Sequence, residues 1–284
     1  SRRDKAEAAV VVYAAELAAR VAAIRGELPQ VHSWIEVADG HPGNTDVLHY
    51  DELVADGDGA PLGIARAGDD MLFLYTGGTT GMPKGVMWRL DDLWRVTGAG
   101  GNPRRGVPPA VDLAEFVERV RVDAPPVSLP LPPLMHGTGL FNAISTLMIG
   151  GSVTTLEGRH FEPVELLDAI ERHRINSISI VGDAFAKPIL RALDAEPDRW
   201  DISSLRVMFS SGVIWSKETK DGLLTHNDRL IMVDALGSSE AIGMATNTTT
   251  AASGDGTAKF ELGPNARVVT EDGRDVEPGS GELG

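Results

Sequence analysis

The sequence predicts an α/β fold in which parallel sheets are flanked by helices and followed by a β-rich C-terminal tail. Three observations carry that expectation. From Val127 onward, short apolar runs alternate with amphipathic stretches of about a dozen residues, the pattern of parallel strands joined by right-handed helical crossovers. Met71–Tyr75 reads Met-Leu-Phe-Leu-Tyr with no polar break, as expected of a strand buried on both faces. The strand ends then run into polar, glycine-rich loops, and open α/β sheets bind ligands outside the carboxyl ends of their strands.

The elements follow in order. Ala9–Tyr13 is a strand, an Ala-rich helix continues to about Arg25, Leu28-Pro29 closes it, and Val31–Val37 is a second strand. Ala38 to Gly63 is rich in Gly, Asp and Pro and is expected as loop, and Ala99 to Pro109, with Arg104 and Arg105, as a surface excursion. Strands are expected at Val127–Leu131, Ser152–Leu156, Ser177–Val181, Leu205–Phe209 and Leu230–Val233. Helices are expected at Leu140–Ile149, Pro163–Arg174, Asp183–Leu193 and Ser216–Leu224. Pro163 suits a first helical position and Asp183 a cap. Ala266–Val269 and the Glu271–Arg274 turn form the tail.

Composition narrows the function classes. The 284 residues carry a net charge of −15, so a phosphate backbone or an anionic lipid surface is repelled, and neither a nucleic acid nor a membrane is an expected partner. With no cysteine there is no disulfide, thiolate metal site or cysteine nucleophile. No apolar run reaches the roughly 18 residues of a membrane span, and the N-terminus lacks a signal-peptide pattern, so a cytoplasmic location is expected.

The segment Thr76-Gly77-Gly78-Thr79-Thr80-Gly81-Met82-Pro83-Lys84-Gly85 carries the chemistry. Its glycines bring backbone amides close to an oxyanion, its threonines add hydroxyl donors, and Lys84 adds a positive charge in an acidic chain. This suits a polyphosphate. The common P-loop ends Gly-Lys-Ser/Thr, whereas here Pro83 precedes the lysine and Gly85 follows it, which disfavours a P-loop kinase.

On this segment the chain resembles the ANL adenylate-forming superfamily of acyl- and aryl-CoA synthetases, peptide-synthetase adenylation domains and luciferases. Gly77 stands where that family's signature usually has Ser, which removes one hydroxyl. Three further blocks match in the family's order: Pro133–Gly139, Ser210-Ser211-Gly212 and Asp234–Glu240. Gly85–Arg89 and Ile180–Ala184 are similar to a bacterial branch acting on long-chain or steroid-side-chain acids.

The resemblance implies ATP-dependent activation of a long-chain, steroid-derived or aryl carboxylic acid to an acyl-adenylate, then to a coenzyme A thioester. It implies that Thr76, Gly77, Gly78, Thr79, Thr80, Gly81 and Lys84 hold the triphosphate. Ser211, Gly212, Asp234, Ala235, Leu236, Gly237, Ser238 and Ser239 then border the nucleotide, and Glu240 supplies a carboxylate to Mg2+. His136, Val181, Gly182, Trp215 and Gly237 would line the acyl channel. Thr76, Lys84, His136 and Glu240 are the catalytic candidates, but His136 is not a general base, because a carboxylic acid is already ionised near neutral pH. Asp234 is open between an adenine contact and a structural hydrogen bond. Trp215, Val181 and Gly182 are open between channel and core.

The resemblance also implies a later ribose-binding Asp and a small C-terminal domain with a catalytic lysine. Residues 1–284 are thus expected to be part of the large N-terminal AMP-binding domain, lacking its start and the small domain. Such a chain alone would be inactive, a nucleotide- or acyl-binding fragment, and an apolar face left by the missing segments could drive homodimerisation.

Overall fold

A computed structural model describes residues 7–77, 84–99, 101, 108–120, 125–213, 215–253, 259–264, 266–277 and 279–281. The chain divides into two compact units, Ser1–Ala65 and Arg66–Gly284.

The first unit holds strand β1 (Val10–Ala14), a 3-10 turn (Ala15–Leu17), helix α1 (Ala18–Arg25), strands β2 (Ser33–Val37) and β3 (Leu48–His49), and helix α2 (Tyr50–Asp56). Its strands pair in parallel in the order β1-β2-β3. Tyr13, Ala18, Val21, Leu28, Val31 and Trp34 make its core. Strand β3 and helix α2 lie inside the segment expected as loop. Helix α2 buries no residue, its Tyr50, Leu53 and Val54 being exposed, and its seven residues are too short a window for periodicity to reveal it.

The second unit carries strands β4 (Met71–Thr76) and β5 (Lys84–Arg89), helices α3 (Leu90–Val96) and α4 (Leu113–Val120), then strand β6 (Val127–Pro130), helix α5 (Gly137–Met148) and strand β7 (Ser152–Val153). Helix α6 (Pro163–His173), β8 (Ser177–Ile180), α7 (Asp183–Ala195), β9 (Val207–Ser211), α8 (Lys217–His226), β10 (Ile231–Leu236), β11 (Ala245–Thr249) and β12 (Glu261–Leu262) follow. The larger sheet has the order β12-β11-β10-β9-β8-β6-β7. Strands β10, β9, β8, β6 and β7 are parallel, and β11 and β12 extend the sheet antiparallel. The expected alternation is therefore present.

Leu129, Ile178, Ile180, Met208 and Met232 project from this sheet into one core with Leu166, Leu167 and Ile170 of α6, Ile189 and Leu193 of α7, and Leu223 of α8. Pro163 opens α6 as expected. Asp183 does not cap α7 but is its first residue, and Gly182 is the N-cap at φ +51°, ψ −149°, a conformation open to glycine. No helix among the described residues is long and apolar enough to cross a membrane.

Met71–Tyr75 corrects one expectation. It is a strand, but it is not buried on both faces. Among the described residues strand β4 pairs only with β5, as an antiparallel two-stranded sheet, and Met71, Phe73 and Tyr75 are 41%, 44% and 42% exposed. Leu72 and Leu74 turn the other way, into a cluster with Val86, Trp88, Leu93, Phe141 and Ile242. An apolar run reports hydrophobicity on both faces, but not that both faces are covered. The Ala99–Pro109 excursion is also not wholly surface: Ala99 is fully buried, and its carbonyl accepts from the Ala110 N–H at 2.9 Å. Arg104 and Arg105 lie outside the described residues.

The end of α6 is tied down by Arg174, whose guanidinium meets Asp201 at 2.6 Å and the Ser203 hydroxyl at 3.3 Å. The Ser203 hydroxyl and N–H, with Arg174, hold the Asp201 carboxyl at about 2. A depressed carboxyl stabilises the fold above its unfolded value of about 3.9, and the contribution is lost as pH falls toward 2. In a carbon-detected NMR titration Asp201 should titrate near pH 2, and Ser203→Ala should move that midpoint upward; an ordinary midpoint in the unaltered chain would contradict the assignment.

Candidate functional site

The parallel register places the carboxyl ends of β6, β8, β9 and β10 along one edge of the sheet, in the order β10-β9-β8-β6. The loop after each of these four strands carries a residue block singled out in the sequence. The connection after β6 turns at His136, whose N–H donates to the Pro133 carbonyl at 2.8 Å. His136 is the N-cap of α5, its Nδ1 accepting from the Thr138 N–H at 3.2 Å. Its Nδ1 is thus occupied by helix capping, and the residue is exposed. A Cβ at Gly139 would run into the carbonyls of Pro132 and Pro133, so this tight entry requires glycine.

After β8, the Gly182 N–H donates to the Ser210 hydroxyl at 2.9 Å, which locks the β8 and β9 ends together. Asp183 accepts from the N–H and the hydroxyl of Ser216, each at 3.1 Å, and meets Lys187 at 3.0 Å. Burial opposes ionisation of Asp183, but the Lys187 ammonium and the Ser216 bonds outweigh it and hold the carboxyl below its usual range. Asp183 therefore fastens α7 to the N-cap of α8. At the end of β9, Ser211 leads to Gly212 at φ +91°, whose open side faces the Val181 side chain.

Strand β10 delivers Asp234, Ala235 and Leu236. Leu236 is 52% exposed, so it is an open apolar surface at the sheet edge and not a core residue. Gly237 to Ala241 then form a tight turn in which Ser238 and Ala241 exchange backbone hydrogen bonds at 2.9 and 3.2 Å. The Ser238 hydroxyl accepts from the Glu240 N–H at 3.3 Å, and Glu240 is exposed. An exposed carboxylate on a turn fits a hard cation that takes one protein oxygen and fills its shell from phosphates and water. No group of three or more His, Cys, Asp or Glu that could hold a metal by themselves occurs among the described residues.

Two expected site residues are placed differently. Asp234 Oδ2 forms an ion pair with Lys220 of α8 and accepts from Asn247 Nδ2 at 3.2 Å, and Lys220 Nζ also lies 3.5 Å from the Thr249 hydroxyl. The structural alternative for Asp234 therefore holds for that oxygen. Trp215 is 4% exposed within the main core, with Lys220 Nζ 5.3 Å from its ring centroid, so it is a core residue and not an open channel wall.

The hairpin contributes the charged arm. Directly opposed residues of an antiparallel pair share a face, so Thr76 and Lys84, Leu74 and Val86, and Leu72 and Trp88 lie on the same side. That side packs on Phe141 of α5 and on Ile242 beyond the Glu240 turn. Lys84 is exposed, with no ion pair among the described residues, and the Thr76 hydroxyl lies 3.5 Å from the Lys84 carbonyl. Gly77 is exposed beside them, while Gly78, Thr79, Thr80 and Gly81 lie outside the described residues.

Sequence reasoning missed Lys220, Asn247 and Trp88. A lysine three residues before Leu223, on the apolar face of α8, was the available signal for Lys220. Lys220→Ala strands the Asp234 carboxylate and should destabilise the chain by about 3 kcal/mol in urea unfolding. A loss below about 0.5 kcal/mol would show that the pair is dispensable.

The comparisons with known proteins agree with one another. The family described as AMP-binding enzyme matches residues 3–284. The chain is 32% identical over 289 residues to the medium/long-chain-fatty-acid–CoA/3-oxocholest-4-en-26-oate–CoA ligase of Mycolicibacterium smegmatis, covering 99% of this chain and 52% of that protein. It is 33% identical over 296 residues to the 3-oxocholest-4-en-26-oate–CoA ligase of Rhodococcus rhodochrous, covering 99% and 52%. The chain thus spans about half the length of these curated relatives. Among solved structures, a long-chain-fatty-acid–CoA ligase from Archaeoglobus fulgidus superposes with a TM-score of 0.67 at 21% identity, covering 96% of this chain and 52% of that one. An anthranilate CoA ligase in complex with anthranoyl-AMP gives 0.70 at 18% identity, covering 95% and 49%. These likenesses show the fold.

Proposed function

Because the chain belongs to the AMP-binding enzyme family, we propose that it forms the nucleotide-binding part of an enzyme that uses ATP to activate a carboxylic acid for transfer to coenzyme A. The observation that carries this reading is the hairpin arm: an exposed Lys84, with no ion pair among the described residues, shares a face with Thr76 beside a glycine-threonine segment, in a chain of net charge −15. Against that background an unpaired ammonium is a local attractor for phosphate.

In this reading residues 1–284 are part of the family's large nucleotide-binding domain. The acid arrives ionised, and its oxygen attacks the α-phosphorus in line. The bond to the bridging oxygen breaks, pyrophosphate leaves, and an acyl-adenylate remains. The thiolate of coenzyme A then attacks the acyl carbonyl, and AMP departs. The residues act chiefly by position and charge. Lys84 and the Thr76 hydroxyl bind β- and γ-phosphate oxygens, and Gly77 lets the backbone approach them. Leu236 offers an apolar surface to the adenine ring, with Ser211, Gly212 and Ala235 at its border and Gly237, Ser238 and Ser239 beyond. Mg2+ held by Glu240 supplies, when bound, neutralisation of the charge that develops on pyrophosphate.

His136, Val181 and Gly182 border the acyl group. Met135-His136-Gly137 offers no carboxylate to pair an amino acid's ammonium, which favours an apolar acid. The relatives' names point the same way, to a medium- or long-chain fatty acid or a steroid side-chain acid.

Lys84→Ala should weaken MgATP binding by roughly ten- to hundredfold, the value of a charge-assisted contact to phosphate. Its melting temperature should stay unchanged, since the side chain is exposed and unpaired among the described residues. Titration calorimetry reads the first and thermal unfolding the second. Undiminished binding would remove Lys84 from the cradle.

A further inference from the structure

We propose that Trp88 is a positioning residue of the nucleotide site, holding the Lys84 strand and the Glu240 turn at a fixed separation through one indole hydrogen bond. The inference rests on the functional reading above and concerns how its two charged arms are kept in register. Trp88 Nε1 donates to the Ser239 carbonyl at 2.8 Å, across 151 residues of sequence. The acceptor is the peptide that leads directly into Glu240. The donor is on β5, four residues from Lys84 and on the same face by strand parity.

The turn's own hydrogen bonds are local: Ser238 with Ala241, and Glu240 with the Ser238 hydroxyl. The Leu236–Ala245 pair closes its base and Ile242 packs on the hairpin face, but neither bonds the peptide that leads into Glu240. Trp88 links it to a different sheet. The indole is itself fixed, meeting Phe141 edge-to-face at 5.9 Å and 71°. Phe141 is 8% exposed and belongs to α5, the helix that His136 caps. One side chain therefore touches the three elements that carry Lys84, His136 and Glu240.

The chemistry explains why this separation matters. A triphosphate held by the Lys84 ammonium on one arm and by a cation on the Glu240 carboxylate on the other would need the two arms at one separation. If the arms drift, both contacts to the β- and γ-phosphates cannot be met together. A mononucleotide has no such phosphates and makes no such demand. Rigidity at Trp88 should therefore be felt by MgATP and not by AMP, which separates positioning from general structural support.

The test is calorimetric titration of the unaltered chain and of Trp88→Phe with MgATP and with AMP. Phenylalanine keeps a ring against Phe141 and removes the N–H. The expected result is a roughly tenfold weaker MgATP affinity, with AMP affinity changed by less than about twofold. Equal weakening of both nucleotides, or no weakening of either, overturns the proposal. Should the variant fail to fold, the indole N–H of Trp88 in the unaltered chain decides by NMR. Its exchange with solvent should slow on adding MgATP and not on adding AMP; an equal response to both overturns the proposal. An unaltered chain that binds AMP but not MgATP overturns the proposal together with the triphosphate cradle, whereas selective MgATP binding that survives Trp88→Phe overturns the proposal alone.

Discussion

In a parallel sheet every strand ends on the same side, so the hydrogen-bonded register of β6, β8, β9 and β10 decides where the functional loops meet. Residues far apart in sequence, from His136 to Glu240, come to one edge for that reason alone. The register is in turn held by burial. Ile178, Met208 and Met232 are cross-strand neighbours and all are fully buried, so a one-residue slip of any strand would turn them out of the core. The core below the sheet and the loops at its edge are thus two consequences of one pairing.

The edge is further stiffened by bonds between neighbouring strand ends. The Gly182 amide is held by Ser210 on the next strand, and Asp183 reaches across to the N-cap of α8. Lys220 and Asn247 grip Asp234 from α8 and β11. These bonds satisfy the polar side chains behind the strand ends, while Gly212, Gly237 and Leu236 are exposed there. A site with its polar groups already satisfied and its surface left open suits a flat aromatic base, which asks mainly for shape and apolar contact.

Much of this was legible in the sequence, for physical reasons that differ by element. The alternation after Val127 was readable because those helices bury an apolar stripe, as Leu166, Leu167 and Ile170 do in α6. Helix α2 was not, because seven residues set among Gly, Asp and Pro are too few to display a helical period. Strand β11 was hidden because Ala-Thr-Asn-Thr-Thr lacks large apolar residues, and its buried face meets Lys220 and Asp234 instead. The apolar run at Met71–Tyr75 was recognised as a strand but expected to be buried on both faces, since local pattern carries no information about what covers each face. In the site, the residue types were legible and their partners were not. Asp234 and Trp215 read equally well as ligand contacts until Lys220 was found between them.

The proposed place of the nucleotide is the carboxyl edge of the β10-β9-β8-β6 sheet. Photolabelling with 8-azidoadenosine triphosphate, followed by peptide mapping, tests it most directly. The azide sits on the base, so the label should fall on the segments around Ser211-Gly212 and Ala235-Leu236, and excess MgATP should suppress it. Labelling that instead maps to residues 7–65, or to the outer surface of α6 and α7, would contradict the account.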